Sequence, residues 1–253
     1  MQGLRDKVIV VAGGGSNIGA ATALRLAEAG ATLVVGDLNP DSAKAVAEQA
    51  RGKGSRAVGI GFDATDESSV ARLIATAVEQ FGGLDGIHIN FADLSIIFQD
   101  KDALSTPMDV FDRTIAVNLR GHLVATRHAL PALLKRGGGA IVYTVSGAAF
   151  VGAPEYVCYS MAKAGTTALM RHVATRWGRE GIRANAVAPG LVLTEAVKAG
   201  MSDDTKAQML AMSPSTRLGR PTDIASIVAL LLSGEGDWIN GQVISVDGGA
   251  TMR

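Results

Sequence analysis

Residue types that mark several common protein classes are scarce in this sequence. One cysteine, Cys158, stands among 253 residues, so no internal disulfide forms and nothing requires an oxidising compartment. Lys and Arg number 24, as do Asp and Glu, so there is no basic surplus of the kind that binds nucleic acid. No apolar stretch approaches the roughly 18–20 residues of a membrane span, and the one that follows Lys7 is shorter than the ~7–15 residues of a signal-peptide core. We therefore expect a cytoplasmic protein that binds neither nucleic acid nor membrane.

Aromatic residues amount to 4%, whereas hydrophobic residues make up 47% and glycine counts 31. That apolar content is too high for a disordered chain, and a chain of this length buries enough surface for one sizeable core. No Pro-, Ser- or Gly-rich linker divides it. We predict one domain over residues 1–253.

Short apolar runs alternate with longer stretches of helical period along the whole chain. The pattern predicts strands at 8–12, 31–36, 56–62, 84–90, 140–145, 182–188 and 243–246. It predicts helices at 18–29, 41–51, 67–81, 108–135 (with a kink or break at Pro131), 155–179 and 224–232, and a mobile substrate lid at about 193–215. Uninterrupted runs such as Val8–Ala12 are typical of strands buried on both faces. The alternation predicts an α/β fold, a doubly wound Rossmann domain with a seven-stranded parallel sheet and helices on both faces.

Ligands of such sheets bind at the carboxyl ends of the strands, and two features stand there. Residues 12–19 read A-G-G-G-S-N-I-G before a helix, where glycines let a pyrophosphate approach the helix N–H groups. The alternative is a tight strand–helix turn, but the position in the first βα unit favours the binding role. Asp37 ends the second strand, where a carboxylate binds adenosine ribose hydroxyls and repels a 2′-phosphate, favouring NAD over NADP. It also suits a helix-initiating acid. Asp63, after the third strand, would meet the adenine or cap a helix.

Tyr159 and Lys163 lie four positions apart in a predicted helix and share a face. A neighbouring ammonium favours the phenolate. Lowering a tyrosine pKa by about three units takes roughly 4 kcal/mol, which a partly desolvated Lys, helped by the positive ring of an oxidised nicotinamide, would supply. A surface pair at this spacing is common and needs no catalytic role. Tyr156 is a rival, but Ser160, four residues on, carries no charge. Ser146 follows the fifth strand, where its hydroxyl would hold a substrate oxygen or form a turn.

Jointly and in this order, the motifs resemble the compact branch of the short-chain dehydrogenase/reductase family over Leu4–Gly249. The likeness rests on the glycine loop, on N-F-A-D at 90–93, V-N-L at 117–119, Ser146 before Y-S-M-A-K at 159–163, P-G-L-V-L-T at 189–194, and N-G-Q with V-D-G-G within 240–249.

The resemblance implies roles for individual residues. Tyr159 would be the general acid/base, Lys163 would bind the nicotinamide ribose and lower the Tyr159 pKa, and Ser146 would hold the substrate oxygen. Asn118 would position a water for proton relay, and Thr194 would hydrogen-bond the carboxamide. The other implied cofactor contacts are Tyr159 itself and Gly13, Ser16, Asn17, Ile18, Gly19, Asp37, Asp63, Ala64, Asn90, Ala92, Pro189, Gly190 and Val192.

The chain departs from the family pattern at several positions. Ala12 stands in place of a Thr, and Asn17 in place of the middle Gly, although Asn tolerates positive φ. Phe91 and Asp93 depart most, and Asp93 puts a carboxylate near the ribose side. Because the four implied catalytic residues are present, we expect an active enzyme.

Apolar residues flank the implied catalytic groups and include the candidate substrate contacts Ile97, Ala148, Phe150, Tyr156 and Leu191. They favour an apolar or cyclic substrate, although core packing or a subunit interface explains them too. The histidines have no metal-ligand spacing, so no metal site is predicted. We predict an NAD-preferring oxidoreductase that interconverts a secondary alcohol and a ketone. The alternatives are an NADPH-dependent 3-oxoacyl-thioester reductase and a catalytically silent dinucleotide-binding protein. The resemblance also implies a homotetramer.

Overall fold

Seven parallel strands form one sheet in the computed structural model, which describes residues 2–252 apart from the side chain of Ala196. The strands are β1 (Val8–Ala12), β2 (Thr32–Asp37), β3 (Ala57–Gly61), β4 (Gly86–Ile89), β5 (Gly139–Thr144), β6 (Ile182–Pro189) and β7 (Val243–Val246). Their order across the sheet is β3-β2-β1-β4-β5-β6-β7. Every predicted strand is therefore confirmed, with each end within two residues of its predicted place.

Nine α-helices occur among the described residues. They are α1 (Asn17–Glu28), α2 (Pro40–Gly52), α3 (Glu67–Phe81), α4 (Met108–Ile115), α5 (Gly121–Lys135), α6 (Val157–Trp177), α7 (Glu195–Gly200), α8 (Asp203–Ala211) and α9 (Pro221–Leu232). Short 3-10 turns at Ile97–Gln99 and Gly147–Ala149 follow β4 and β5. None of these helices is long and apolar enough to cross a bilayer.

Helices cover both faces of the sheet and bury it. One apolar cluster joins the strands to α3, α5 and α6 through residues such as Leu73, Leu133 and Met170. A second joins the other face to α1, α2 and α9, through Leu26 and Val228 among others. Since both faces are covered, the strands read as continuous apolar runs. The predicted doubly wound arrangement is confirmed.

The stretch predicted as one helix at 108–135 differs from the prediction in where it is interrupted. A π-helical segment, Ala116–Arg120, separates α4 from α5, whereas Pro131 lies inside α5. Wider turns of this kind are often found at functional sites, and this one carries Asn118, whose side chain is buried. The next helix, α6, begins at Val157 rather than at Glu155, because Tyr156 has a left-handed backbone, with φ of 66°.

The strand order reverses beside β1, which pairs with β2 on one side and with β4 on the other. The carboxyl ends of these three strands carry the glycine loop, Asp37 and Asn90. The sequence pattern placed all three at strand ends, and the topology brings them to one crevice of the kind that binds ligands in open α/β sheets.

Candidate active site

The glycine loop between β1 and α1 turns so tightly that side chains do not fit. Gly13 has a φ of 81°, and a Cβ on Gly19 would lie 1.9 Å from the carbonyl oxygen of Gly13. Asn17 takes the family's glycine position with a φ of 47°, so the turn survives this departure. The Ser16 side chain does not cap α1, and no acidic residue stands in its first turn. The loop therefore presents the N–H groups and positive end of a helix dipole, which suit an anion such as a pyrophosphate.

Asp37 at the end of β2 closes the outer side of this loop. Its Oδ2 accepts a hydrogen bond from the Gly15 amide at 2.8 Å, and its Oδ1 accepts one from the Asn39 amide at 3.1 Å. A Cβ on Gly15 would meet the carboxylate at 2.7 Å, so only glycine lets the two come together. The N-cap of α2 is Asn39, so Asp37 does not serve as the helix-initiating acid. The glycine loop (residues 12–19) and Asp37 together form a cradle, which fits a dinucleotide whose ribose lies against the carboxylate.

Asp63 and Ala64 follow β3 at the same edge. Asp63 Oδ1 accepts hydrogen bonds from the amide and hydroxyl of Thr65, at 2.8 and 2.7 Å, while Asp66 caps α3. Asp63 therefore shapes the turn before the helix cap. Its predicted contact with an adenine stays a prediction.

Asn90 links the glycine loop to β5 in a network that the sequence did not predict. Its Nδ2 donates to the carbonyl of Gly13 at 3.0 Å, and its Oδ1 accepts the Thr144 hydroxyl at 2.8 Å. Because that hydroxyl gives its proton to Asn90, the His88 Nε2, 2.8 Å from it, must be the donor in their hydrogen bond. The Thr144 carbonyl accepts the Lys163 Nζ at 2.8 Å. Thr144 thus joins the loop to the proposed catalytic helix.

The two largest departures from the family pattern occupy different environments. The Phe91 ring is buried edge-on against Phe62 and His122, with centroids 5.4 and 4.8 Å away. Asp93 forms an ion pair with Arg113 at 2.7 Å. Burial raises the Asp93 pKa, but hydrogen bonds from Ser95 and Arg113 together lower it by a larger amount, so the Asp93 pKa is below its ordinary value. The carboxylate expected near the ribose is therefore already paired within the chain.

Asn118 lies in the π-helical segment and Ser146 after β5. The amide of Asp93 donates to Asn118 Oδ1 at 2.8 Å, which fixes the orientation of this fully buried side chain. Ser146 follows β5, and its Oγ accepts the Ala148 amide at 3.2 Å. It thus forms the turn that one interpretation predicted, while its hydroxyl also hydrogen-bonds Tyr159.

Tyr159 and Lys163 share one face of α6, as their spacing predicts. The Lys163 Nζ lies 5.5 Å from the centre of the Tyr159 ring, and Lys163 is 1% exposed. Burial lowers the Lys163 pKa to about 8. Burial also raises the Tyr159 pKa, and the hydrogen bond with Ser146 lowers it by less, so the net direction is upward. The ammonium alone therefore does not lower the Tyr159 pKa, and the shift that the sequence argument expects from Lys163 together with an oxidised nicotinamide stays a prediction.

Residues after β6 reach back to the glycine loop. A Cβ on Gly190, next to Pro189, would lie 2.8 Å from the Asp247 backbone. The Val192 carbonyl accepts the Thr194 amide at 2.8 Å, and the Thr194 hydroxyl caps α7. The Glu195 amide donates to Asn17 Oδ1 at 3.2 Å. The segment predicted as a lid, which contains α7 and α8, therefore begins against the glycine loop.

The candidate substrate residues come from several loops at this edge. Ile97 and Ala148 lie in the two 3-10 turns, Tyr156 precedes α6, and Phe150 packs partly against the α3–α5–α6 core. Leu191 lines a cavity of about 230 Å³ together with Met209 and Val246. Cys158 is buried, and burial raises its thiol pKa to about 11, so it packs rather than reacts at neutral pH.

His88 and His122 are fully buried, and burial is the main reason that their pKa values fall to about 3. They are therefore neutral at physiological pH. Within residues 2–252, no three His, Cys, Asp or Glu side chains are grouped so as to hold a metal ion.

Comparison with known proteins gives matches over nearly the whole chain. A family model described as enoyl-(acyl carrier protein) reductase matches residues 12–251. The chain is 41% identical to the cis-4-hydroxycyclohexanecarboxylate dehydrogenase of Sinomonas cyclohexanicum over 97% of each sequence. A solved 7α-hydroxysteroid dehydrogenase, complexed with NADH and 7-oxo glycochenodeoxycholic acid, superposes with a TM-score of 0.90 at 30% identity, over 99% of this chain and 97% of that one. A short-chain type dehydrogenase/reductase from Mycobacterium marinum gives a TM-score of 0.91 at 28% identity, over 99% and 98%.

Proposed function

Because this chain belongs to the short-chain dehydrogenase/reductase family, we propose that it interconverts a secondary alcohol and a ketone, prefers NAD, and uses Tyr159 as general acid/base. The members of this family are NAD(P)-dependent oxidoreductases that act on CH–OH groups. One observation carries the proposal. Lys163, 5.5 Å from the Tyr159 ring, is anchored on Thr144, and Thr144 is tied through Asn90 to the glycine loop. The proton-transfer pair and the dinucleotide cradle thus form one connected site.

Each residue has a distinct task in this proposal. The bound nicotinamide supplies the hydride acceptor in oxidation and the donor in reduction. Tyr159 removes the hydroxyl proton of the alcohol or returns it to the ketone oxygen, and Ser146 donates a hydrogen bond to that oxygen. Lys163 holds the ribose hydroxyls and favours the phenolate. Asn118, oriented by the Asp93 amide, positions a water that carries the proton onward.

Because Tyr159 is buried, its ionisation depends on positive charge from Lys163 and from the bound cofactor. The upward net shift of the Tyr159 pKa means that the phenolate needs positive charge beyond what the unliganded site supplies. The positive ring of an oxidised nicotinamide would add such charge. Proton transfer is therefore coupled to occupancy of the cradle.

Asp37 supports the preference for NAD. Its carboxylate is fixed by two backbone amides at the edge of the glycine loop. The next two residues, Leu38 and Asn39, offer no cation for a 2′-phosphate. A negative group at this place accepts ribose hydroxyls and repels the phosphate of NADP.

An apolar or cyclic secondary alcohol is the substrate class that we favour. Phe98, in the same 3-10 turn as Ile97, is 77% exposed, and Leu191 lines a cavity together with Met209 of α8. The relatives named above act, by their names, on a hydroxycyclohexane carboxylate and on a hydroxysteroid. Both are ring alcohols, so a ring of this kind is the first candidate for the apolar surface.

A coupled screen tests the proposal. Purified protein is incubated with NAD or NADP and a panel of cyclohexanols, hydroxysteroids and acyclic secondary alcohols, and NAD(P)H absorbance is followed. Turnover of ring alcohols with NAD is the expected result. In a parallel assay with NADPH and a 3-oxoacyl thioester, reduction of the thioester without turnover of any alcohol would favour the thioester reductase instead. NADH binding without turnover of any alcohol or ketone would favour the silent binding protein.

Assembly and compartment stay predictions of the sequence. Exposed Met108, Leu123 and Met161 on α4, α5 and α6 support subunit contacts through these helices in a homotetramer. The single cysteine remains the argument for the cytoplasm.

A further inference from the structure

The start of α6, the helix that carries Tyr159 and Lys163, has no local cap. The first N–H groups of any helix need partners outside it, which Ser, Thr, Asp or Asn at the N-cap usually provides. Here the N-cap is Tyr156, which gives no side-chain hydrogen bond, and no acidic residue stands in the first turn. The partners must come from another part of the chain.

Asp100, from the segment between β4 and α4, supplies them. Its Oδ1 accepts the Cys158 amide at 3.0 Å, and its Oδ2 accepts the Tyr159 amide at 2.8 Å. Asp100 is 1% exposed, so its charge is held by the positive end of α6 rather than by water. The main chain adds two bonds, from the Tyr156 amide to the Asp100 carbonyl at 3.1 Å and from Val157 to Lys101 at 3.4 Å. We call this contact between residues 100–101 and 156–159 the Asp100 clasp.

The clasp and Thr144 hold the two ends of the proposed catalytic pair. Asp100 binds the backbone N–H of Tyr159 itself, while the Thr144 carbonyl binds the Lys163 Nζ one helical turn later. Tyr159 lies in the first turn of α6, where helices fray. Without an outside anchor, the phenol would be the less well fixed member of the pair.

The same segment carries a candidate substrate contact. The 3-10 turn Ile97–Gln99 directly precedes Asp100, and the Lys101 amide donates to the Thr106 hydroxyl at 2.8 Å beyond it. Asp100 therefore links the turn that carries Ile97, a candidate substrate contact, to the backbone of Tyr159.

We propose that Asp100 is a positioning residue that fixes Tyr159 for proton transfer and joins it to the substrate-facing segment 97–99. The inference rests on the proposed function, since it assigns Asp100 a task in the Tyr159 reaction. Asp100 touches neither the cradle nor the reacting atoms, so its loss should slow turnover without weakening cofactor binding.

The variant Asp100→Asn tests this, because it is nearly isosteric, keeps one acceptor oxygen and removes the other. We expect kcat to fall by about tenfold or more, the size that small misplacements of reacting groups produce, with the NADH dissociation constant within about twofold of the wild-type value. The matched control is Asp102→Asn. Asp102 lies in the same segment and binds the amides of Leu104 and Ser105 at 2.8 and 3.0 Å, but has no hydrogen bond to α6. The Asp102→Asn variant should change neither kcat nor the NADH dissociation constant by more than about twofold.

An Asp100→Asn enzyme with wild-type kcat would overturn the inference. So would a loss of kcat that Asp102→Asn matches, or one that comes with an equal loss of NADH affinity, because each points to general disruption.

Amide hydrogen exchange of the unmutated protein gives a second test that needs neither a folded variant nor a substrate. The Cys158 and Tyr159 amides should exchange far more slowly than the first-turn amides of α1, whose Ser16 side chain caps nothing. Equal exchange would refute the clasp. A wild-type protein that turns over no alcohol or ketone would defeat the proposed function instead, and the exchange result would still decide the contact.

Discussion

Replacing Asp37 by Asn should narrow the preference for NADH over NADPH. The carboxylate is held by the Gly15 and Asn39 amides at 2.8 and 3.1 Å, so it is not free to swing away from an approaching phosphate. Asn retains one acceptor oxygen for these amides and removes the charge. The substitution therefore removes the electrostatic repulsion while keeping one of these two hydrogen bonds.

The size of the effect follows from the half-buried position of Asp37. Two unit charges about 4 Å apart interact by about 1 kcal/mol in bulk water and about 4 kcal/mol at an effective dielectric constant near 20. A partly solvated carboxylate lies between these limits, so we expect about 2 kcal/mol. That corresponds to roughly a thirtyfold change in the ratio of the two dissociation constants.

Fluorescence titration of NADH and NADPH with wild type and variant measures this ratio. The control is Asp41→Asn, which removes an exposed charge paired with Lys44 in the first turn of α2 and should leave the ratio nearly unchanged. Higher salt should shrink the Asp37 effect by screening. A wild-type protein that binds NADPH more tightly than NADH, or an Asp37→Asn ratio equal to that of wild type, would refute the reasoning.

Three further predictions concern stability and the lid segment (193–215). Unfolding should take up a proton at each of His88 and His122, since their folded pKa values of about 3 lie below the unfolded value near 6.5. The two histidines therefore leave the free energy of unfolding unchanged above pH 6.5 and lower it as the pH drops toward 3, together by up to roughly 2.7 kcal/mol per pH unit. Urea denaturation between pH 7 and 5 measures this slope. A free energy of unfolding that does not change with pH would contradict the burial of both histidines as neutral groups. Gly121→Ala would place a Cβ 3.0 Å from the Phe91 ring. Because of this overpacking, the substitution should lower the free energy of unfolding by at least about 1 kcal/mol more in the wild-type protein than in a Phe91→Ala background. Equal losses in the two backgrounds of this double-mutant cycle would exclude the clash. Asn17→Gly relieves a left-handed φ and removes the oxygen that binds the start of α7, so Tm should not fall while limited proteolysis within 193–215 speeds up; unchanged cleavage would show that this contact does not restrain the segment.

Periodicity sufficed to predict the sheet because strands covered on both faces leave continuous apolar runs. The same reasoning placed Asp37 and Ser146 at strand ends, and parallel strands bring their carboxyl ends to one edge. The left-handed Asn17 was also foreseeable, because asparagine accepts positive φ better than most residues.

Contacts between distant segments were beyond the sequence argument. Asp100 lies 58 residues before the first amide that it caps, and Thr144 holds Lys163 through a backbone carbonyl, so neither contact leaves a periodic or spacing signal. The direction of the Phe91 ring depends on Phe62 and on the room at Gly121. The opposing effect of burial on the Tyr159 pKa requires the packed structure as well.

The rate of hydride transfer in Tyr159→Phe, compared with that in Tyr156→Phe, tests most directly whether this phenol moves the proton. Both variants lose one hydroxyl and keep the ring. With saturating cofactor and a working ring alcohol, we predict that Tyr159→Phe is slower by about 10²–10⁴ with NADH affinity retained, and that Tyr156→Phe loses far less. Equal rates in Tyr159→Phe and wild type, or the larger loss in Tyr156→Phe, would contradict the account.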